Sequence, residues 1–315
     1  MIGLRLSGRG DKRALVTRAS SMARHIVANR GELQIHAGVH KTGSTSLQRS
    51  LRAAGMLYPS HRRDFPSRDS FDQALRGAHR NIQILSSEHL LGEMYDLYSS
   101  APERLAQIAA CGFRSRLFVY LRPHLEWHTS IVSQLIQQGD SDLVDHYLEQ
   151  LPQKRYVSLR SFCEDLLDAS SSSLRVEIRV SEDVVGDFAR RVGVPLPGGS
   201  RNNSSFSPVA LVSLRKLGEM AYAPHNLPRS ALRGYAEESR GVFSILTFSQ
   251  QNFLKNMRAD WMDAMKMFSN PEDKNVIASL SRYDKAVLPS VYENFSNKDR
   301  IDAMRHVDKW LIENR

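Results

Sequence analysis

Short apolar runs with period-two or continuous patterning alternate, over the first two-thirds of the chain, with longer stretches whose apolar positions recur every three or four residues. Leu33-Gln34-Ile35-His36-Ala37, Asn81-Ile82-Gln83-Ile84-Leu85, Arg116-Leu117-Phe118-Val119-Tyr120-Leu121 and Leu174-Arg175-Val176-Glu177-Ile178-Arg179-Val180 read as four strands. Helical spacing predicts helices near 45–54 and 101–111, from Pro123 to about Gln138, near 142–150 and 158–168, and over Asp183–Val192. Residues 59–70 are polar with two prolines and read as a loop. Strands alternating with helices at this spacing imply right-handed crossovers and a parallel sheet. From about 206 no strand pattern remains, and the periodicity is helical to Arg315. The expected fold class is therefore α/β, a three-layer parallel sheet flanked by helices. Its divisions are a basic N-terminal extension at 1–30, an α/β core at 31–205, and a helical C-terminal region of the same domain at 206–315.

The junction after the first strand carries the most specific chemistry. Gly38-Val39-His40-Lys41-Thr42-Gly43-Ser44-Thr45-Ser46 links that strand to the helix containing Leu47-Gln48-Arg49-Ser50-Leu51. A helix opening in this way aims free backbone N–H groups and the positive end of its dipole at one spot, which suits an oxyanion. Lys41 adds a point charge, and Ser44, Thr45 and Ser46 add hydroxyl donors. A nucleoside-triphosphate loop places its lysine directly after the second glycine. Here Lys41 precedes Gly43 by two residues, so that pattern is not met.

A second segment has matching logic. The apolar run ending at Leu121 is followed by Arg122-Pro123, with Pro123 suited to a first helical turn, and Ser130 lies eight residues after Arg122. An arginine fork with a nearby hydroxyl suits a dianionic phosphate, although an arginine at a strand end also pairs readily with a surface carboxylate. A third, weaker segment is Arg201-Asn202-Asn203-Ser204-Ser205, which also reads as a polar loop ending in a helix cap.

Together these motifs resemble the sulfotransferases that use PAPS (3′-phosphoadenosine 5′-phosphosulfate). Bacterial members of that group often carry a loop of the type H-K-T-G-[ST]-[ST]-S-L-Q, which is His40 through Gln48 here. The resemblance covers roughly residues 33 to 210 and implies a P-loop-like fold. It implies that His40, Lys41, Thr42, Gly43, Ser44, Thr45 and Ser46 cradle the 5′-phosphosulfate. It further implies that Arg122 and Ser130 hold the 3′-phosphate, and that Arg201 and Asn203 lie near the nucleotide. PAPS is then the donor substrate and PAP (3′-phosphoadenosine 5′-phosphate) the product, with no metal required. The implied acceptor is a hydroxyl of a carbohydrate or glycolipid. For the proton acceptor, Glu88 follows the second strand directly and His89 is its immediate rival. A glutamate there also suits the start of a helix. His36 and His40 flank the loop, and a histidine on an apolar strand is more often packed than catalytic.

Composition narrows the remaining classes. Neither the 41% hydrophobic and 24% charged content nor any apolar run suggests a membrane-spanning chain. Cys111 and Cys163 are the only cysteines, so no disulfide framework exists and a cytoplasmic, reducing location is expected. His124 and His128 are four residues apart and share a helix face, but the intervening residues do not make an H-E-x-x-H zinc motif. Most of the net charge of +9 sits in residues 1–30, with seven basic residues against Asp11. Leu15, Ala19, Met22 and Ile26 recur there at helical spacing. Three readings stay open for this segment: a helix packed on the domain, a peripheral contact with anionic membrane at the inner face or with glycan, or a targeting segment. Its charge is not interleaved with aromatics, so no nucleic-acid partner is expected. The rival functions are a P-loop nucleotide kinase or NTPase, and a catalytically silent nucleotide-binding module of the same fold.

Overall fold

The computed structural model describes residues 32–39, 43–54, 82–110, 114–138, 141–197, 208–219 and 244–268, with short pieces between 296 and 309. These residues fall into two compact units, one of Met1–Leu121 with Ser161–Ser200 and one of Arg122–Arg160 with Arg201–Arg315.

The first unit holds an all-parallel sheet of β1 (Glu32–Ala37), β2 (Ile82–Ser87), β3 (Ser115–Leu121) and β4 (Leu174–Val180), in the spatial order β2-β1-β3-β4. Helices α1 (Ser44–Ala53) and α2 (Ala101–Ala110) connect these strands in sequence. The expectation of an α/β chain with a parallel sheet flanked by helices is met. β2 runs two residues beyond its apolar run, because His36 pairs with Ser86 and Ala37 with Ser87 across the ladder.

Register sorts the side chains onto two unlike faces. Leu33, Ile35, Ala37, Leu85, Leu117, Val119, Leu121, Leu174, Val176, Ile178 and Val180 share one face, and all are buried. The other face mixes Phe118, Tyr120 and Ile84 with Gln34, His36, Ser86, Arg116, Glu177 and Arg179. On this mixed face Leu47 and Leu51 of α1 join Val184, Val185, Phe188 and Val192 in one apolar cluster with Ile84, Phe118 and Tyr120. The second set of residues belongs to α6 (Val184–Val192), which is capped by Asp183 at its start and by Gly193, at φ 70°, at its end. α5 (Leu159–Asp168), most of which lies in this unit, precedes β4.

Several polar groups on the mixed face pair with one another. The Tyr120 hydroxyl donates to Asp187 of α6 at 3.0 Å, and Arg179, Arg190 and Arg191 surround the same carboxylate. Arg116 donates to both Glu177 oxygens and to the Arg191 carbonyl, and its guanidinium lies over the Phe118 ring. Burial and the adjacent Asp187 keep the Tyr120 phenol neutral by raising its pKa. His36 shares a 2.9 Å hydrogen bond with Ser86, whose hydroxyl also accepts from Gln48 of α1 at 3.4 Å. α1 and α6 are thus tied to the sheet by hydrogen bonds as well as by apolar packing.

The second unit is helical among its described residues. It contains α3 (His124–Gln138), α4 (Ser141–Gln150), α7 (Pro208–Glu219), α8 (Phe248–Asn256) and α9 (Arg258–Phe268). Asp260 of α9 accepts from Ser158 Oγ and from the Leu159 amide, and lies 3.2 Å from His124 Nε2. His124 and His128 do share a helix face, with rings stacked 6.2 Å apart. His124 is engaged with Asp260 and the Val157 carbonyl, and His128 with the Tyr147 hydroxyl, so they serve packing between helices.

Buried His36 predicts an acid sensitivity. Burial lowers its pKa from 6.5 to about 3, so the folded protein excludes a proton that the unfolded chain binds below pH 6.5. Stability is then unpenalised above pH 6.5 and falls as pH drops from there toward 3, by up to about 1.4 kcal/mol per pH unit from this group. Urea unfolding of His36→Gln between pH 7 and 4.5 should show a shallower loss with acid than the parent. An unchanged slope would remove His36 as the cause.

Candidate functional site

Strand order reverses between β1 and β3: the chain passes from β1 outward to β2, then back across to β3. Ligands of open parallel sheets bind beyond the carboxyl ends of the strands at such a switch point. The element starting there is α1, and the start of α1 differs from the other helix starts described in detail. Its N-cap residue is Gly43, held at φ 95° in the left-handed region, and no side chain caps the helix. α6, by contrast, is capped by Asp183 accepting from the Gly186 amide, and α8 by a reciprocal Thr247–Gln250 pair. Among the described residues no side chain accepts from the first-turn amides of α1.

Ser44, the first residue of α1, adds to this. It is 1% exposed, and its Oγ has no hydrogen-bond partner among the described residues. A buried hydroxyl in that state costs on the order of 1–3 kcal/mol unless something else satisfies it. The hydroxyl lies against Gly38, at the end of β1. A methyl group added at Gly38 would sit 2.3 Å from Ser44 Oγ and 3.1 Å from Glu88 Cγ. Only hydrogen fits there, so Ser44 and Glu88 converge on the one point that glycine leaves open. The Gly38 amide donates to the Ser87 carbonyl at 3.0 Å, which locks this junction to the end of β2. Gly43 itself abuts Val184, 3.3 Å from where its own side chain would start.

The turn after β2 positions Glu88 and His89. His89 donates its amide to Ser87 Oγ, its carbonyl accepts from Arg104 of α2 at 2.9 Å, and its ring lies 3.8 Å from Glu93. Arg104 also donates to Ser100 Oγ, which sits where a Gly92 side chain would be. Leu97 and Tyr98 both hold positive φ, at 46° and 58°, and both are fully buried. Such conformations cost about 1–2 kcal/mol each and persist only where surrounding contacts dictate them. The segment 88–100 is in this sense a tightly tied turn.

Of the residues singled out from the sequence, Ser44 and Glu88 come together at Gly38, and Gly43 precedes Ser44 as the N-cap of α1. Thr45 and Ser46 follow in the first turn of α1. His89 is turned toward Glu93 within its own loop. Arg122 and Ser130 belong to the second unit. Arg122 stands two residues before α3, where burial disfavours its charge and Glu126 favours it, and Ser130 lies on that helix. His40, Lys41, Thr42, Arg201 and Asn203 lie outside the described residues. Sequence reasoning did not single out Gly38 or Asp187. Gly38 reads locally as the start of a flexible loop, and Asp187 as one of several charges on an amphipathic helix.

Among the described residues no group of three or more His, Cys, Asp or Glu side chains is arranged to hold a metal ion, and no helix is long and apolar enough to cross a membrane. Comparison with family models, curated proteins and solved structures finds no match to this chain.

The convergence on Gly38 makes a direct prediction. Gly38→Ala should destabilise the protein by about 1–3 kcal/mol, since the new methyl overlaps Ser44 and crowds Glu88. Ser44→Ala removes the nearest clashing atom, so the double substitution should cost less than the sum of the two single ones. Denaturant unfolding of the four proteins measures this coupling, and simple additivity would show that Gly38 and Ser44 do not meet.

Proposed function

We infer that the chain is a PAPS-dependent sulfotransferase, moving a sulfuryl group to a hydroxyl of a carbohydrate or glycolipid acceptor. The observation that carries this reading is the uncapped start of α1 at the sheet's switch point, with the buried Ser44 hydroxyl beside it and Glu88 adjoining. An uncapped helix start with spare amides favours an anion. The motif His40 through Gln48 directs the choice of anion toward a phosphosulfate and makes the fold P-loop-like. Ser44, Thr45 and Ser46 would bind the 5′-phosphate, with His40, Thr42 and Gly43 shaping the loop.

In the transfer step the acceptor oxygen forms a bond to sulfur as the bond from sulfur to the bridging phosphate oxygen breaks. The electron pair leaves with PAP, and Lys41 offsets the charge growing on that oxygen. The acceptor's proton passes to a base. Glu88 adjoins Ser44 whereas the His89 ring is engaged with Glu93, which supports Glu88 as that base. Arg122 and Ser130 would take the 3′-phosphate, and a dianion there would favour the Arg122 charge that burial disfavours. Arg201 and Asn203 would contact the nucleotide. A cytoplasmic location is part of the same reading, since PAPS is an intracellular type of donor. Peripheral attachment through the basic residues 1–30 would bring the enzyme to lipid-linked acceptors.

Thermal-shift measurements in EDTA should show stabilisation by PAP and a much weaker effect of ATP with Mg²⁺. Equal stabilisation by ATP-Mg²⁺ would favour the kinase or NTPase reading instead. Arg122→Ala should weaken PAP binding roughly ten- to a hundred-fold while leaving 5′-AMP nearly unaffected, because only PAP carries the 3′-phosphate. Calorimetry showing equal losses for both nucleotides would remove Arg122 from the 3′-phosphate site.

A further inference from the structure

One carboxylate holds the start of α3 in place. Asp260 of α9 accepts from the Ser158 hydroxyl, from the Leu159 amide at 2.7 Å, and from His124 Nε2 at 3.2 Å. Burial pushes the Asp260 carboxyl up, but the hydrogen bonds from His124, Ser158 and the Leu159 amide outweigh it and hold its pKa below the ordinary value. His124 is the first residue of α3, and its Nε2 also lies 3.0 Å from the Val157 carbonyl. Both neighbours of that nitrogen are acceptors, so it carries the proton. A single group on α9 thus binds the segment before α5 and the first turn of α3 together. All of these residues belong to the second unit.

Arg122 stands two residues before His124, separated from it by Pro123 alone. Pro123 fixes its own φ and restricts the residue before it. Its carbonyl accepts from the Trp127 amide at 2.9 Å, which closes the first turn of the helix directly after Arg122. Little backbone freedom therefore separates the Arg122 side chain from the anchored His124 ring. An arginine fork binds an oxyanion through directed N–H bonds, so the placement of its anchor decides how well it does so. We propose that Asp260 and His124 are positioning residues for Arg122: the clasp between them sets the start of α3 so that the guanidinium meets a 3′-phosphate. This rests on reading Arg122 as the 3′-phosphate ligand.

A second contact keeps the clasp in register. His128, one turn after His124, stacks on it at 6.2 Å, and its Nδ1 is hydrogen-bonded to the Tyr147 hydroxyl of α4. Burial, and then the neighbouring His124, hold His128 neutral. Rotation or sliding of α3 would break one of these directional bonds. Ser130 lies on the same helix, so its position is set with that of Arg122. Asp260 and His124 contact protein groups and act on the nucleotide only through Arg122.

Calorimetry of the full chain with PAP and with 5′-AMP separates this role from a merely structural one, because only PAP carries the 3′-phosphate. Asp260→Asn and His124→Leu should each weaken PAP roughly three- to tenfold and leave 5′-AMP unchanged. His124→Gln, whose amide nitrogen can take the place of Nε2, should retain wild-type PAP affinity. In the Arg122→Ala background Asp260→Asn should have no further effect on PAP, since the residue it positions is gone. Wild-type PAP affinity in folded Asp260→Asn, equal losses for PAP and 5′-AMP, or additive losses with Arg122→Ala would each overturn the proposal and leave the nucleotide reading standing. Should Asp260→Asn not fold, His124→Leu against His124→Gln decides it by the same criteria. Wild-type PAP affinity in Arg122→Ala alone would overturn the 3′-phosphate reading, and this proposal with it.

Discussion

A single missing methyl group governs the site. Gly38 ends β1 with its amide bound to the Ser87 carbonyl, and the space its side chain would fill is occupied by Ser44 Oγ and Glu88 Cγ. This close approach brings the first residue of α1 and the first residue after β2 against the same point of backbone. Without it, the hydroxyl donor and the carboxylate would stand on neighbouring strand ends with a side chain between them. Gly43 makes the second requirement, a left-handed turn that L-residues with a Cβ adopt only with strain, and it fits tightly against Val184.

What keeps these parts still is the mixed face of the sheet. An ordinary parallel sheet is apolar on both faces. Here one face is apolar except for Ser87 and Ser115 near strand ends, while the face under α1 and α6 carries His36, Ser86, Arg116, Tyr120, Glu177 and Arg179. Directional bonds from Gln48 to Ser86 and from Tyr120 to Asp187 fix each helix in one register, where apolar packing alone tolerates sliding. Asp187 and Arg179 are both almost fully buried; removing Asp187 takes this carboxylate from Arg179, whereas Asp187 without Arg179 keeps Arg190 and Arg191 beside it. The hydrogen bonds that tie α1 and α6 to the sheet therefore lie on the mixed face beneath them.

Much of this was legible in the sequence, for identifiable reasons. The period of apolar residues located β1, β3, β4 and the helices around them, because each buries a face and the face has a spacing. β2 extends past its apolar run to Ser87, since Ser86 is satisfied by His36 and needs no apolar character to stay in the sheet. The helices α3 and α4 lie between β3 and β4 in the chain, yet they group with the C-terminal helices. Periodicity reports that a face is buried, not what buries it. The same holds for Gly38 and Asp187, whose roles depend on residues distant in sequence. His124 and His128 share a helix face as their spacing implies, and each has its own protein partner.

The energetic contrast among helix starts carries the argument for function furthest. Capping a helix is worth about 1 kcal/mol, and this chain caps α6 and α8 with Asp183 and Thr247. At α1 it forgoes the cap, places a glycine in the left-handed region, and buries a serine hydroxyl with no partner. Each choice lowers stability at a position where a single aspartate or serine before the helix would raise it. Natural chains tend to break local rules where a site requires it, with the deficit carried by the rest of the fold. Three such departures fall within two residues, at the switch point of a parallel sheet and beside a carboxylate. The stabilising network on the mixed face lies directly under α1, so the strain and the structure that sustains it occupy the same unit.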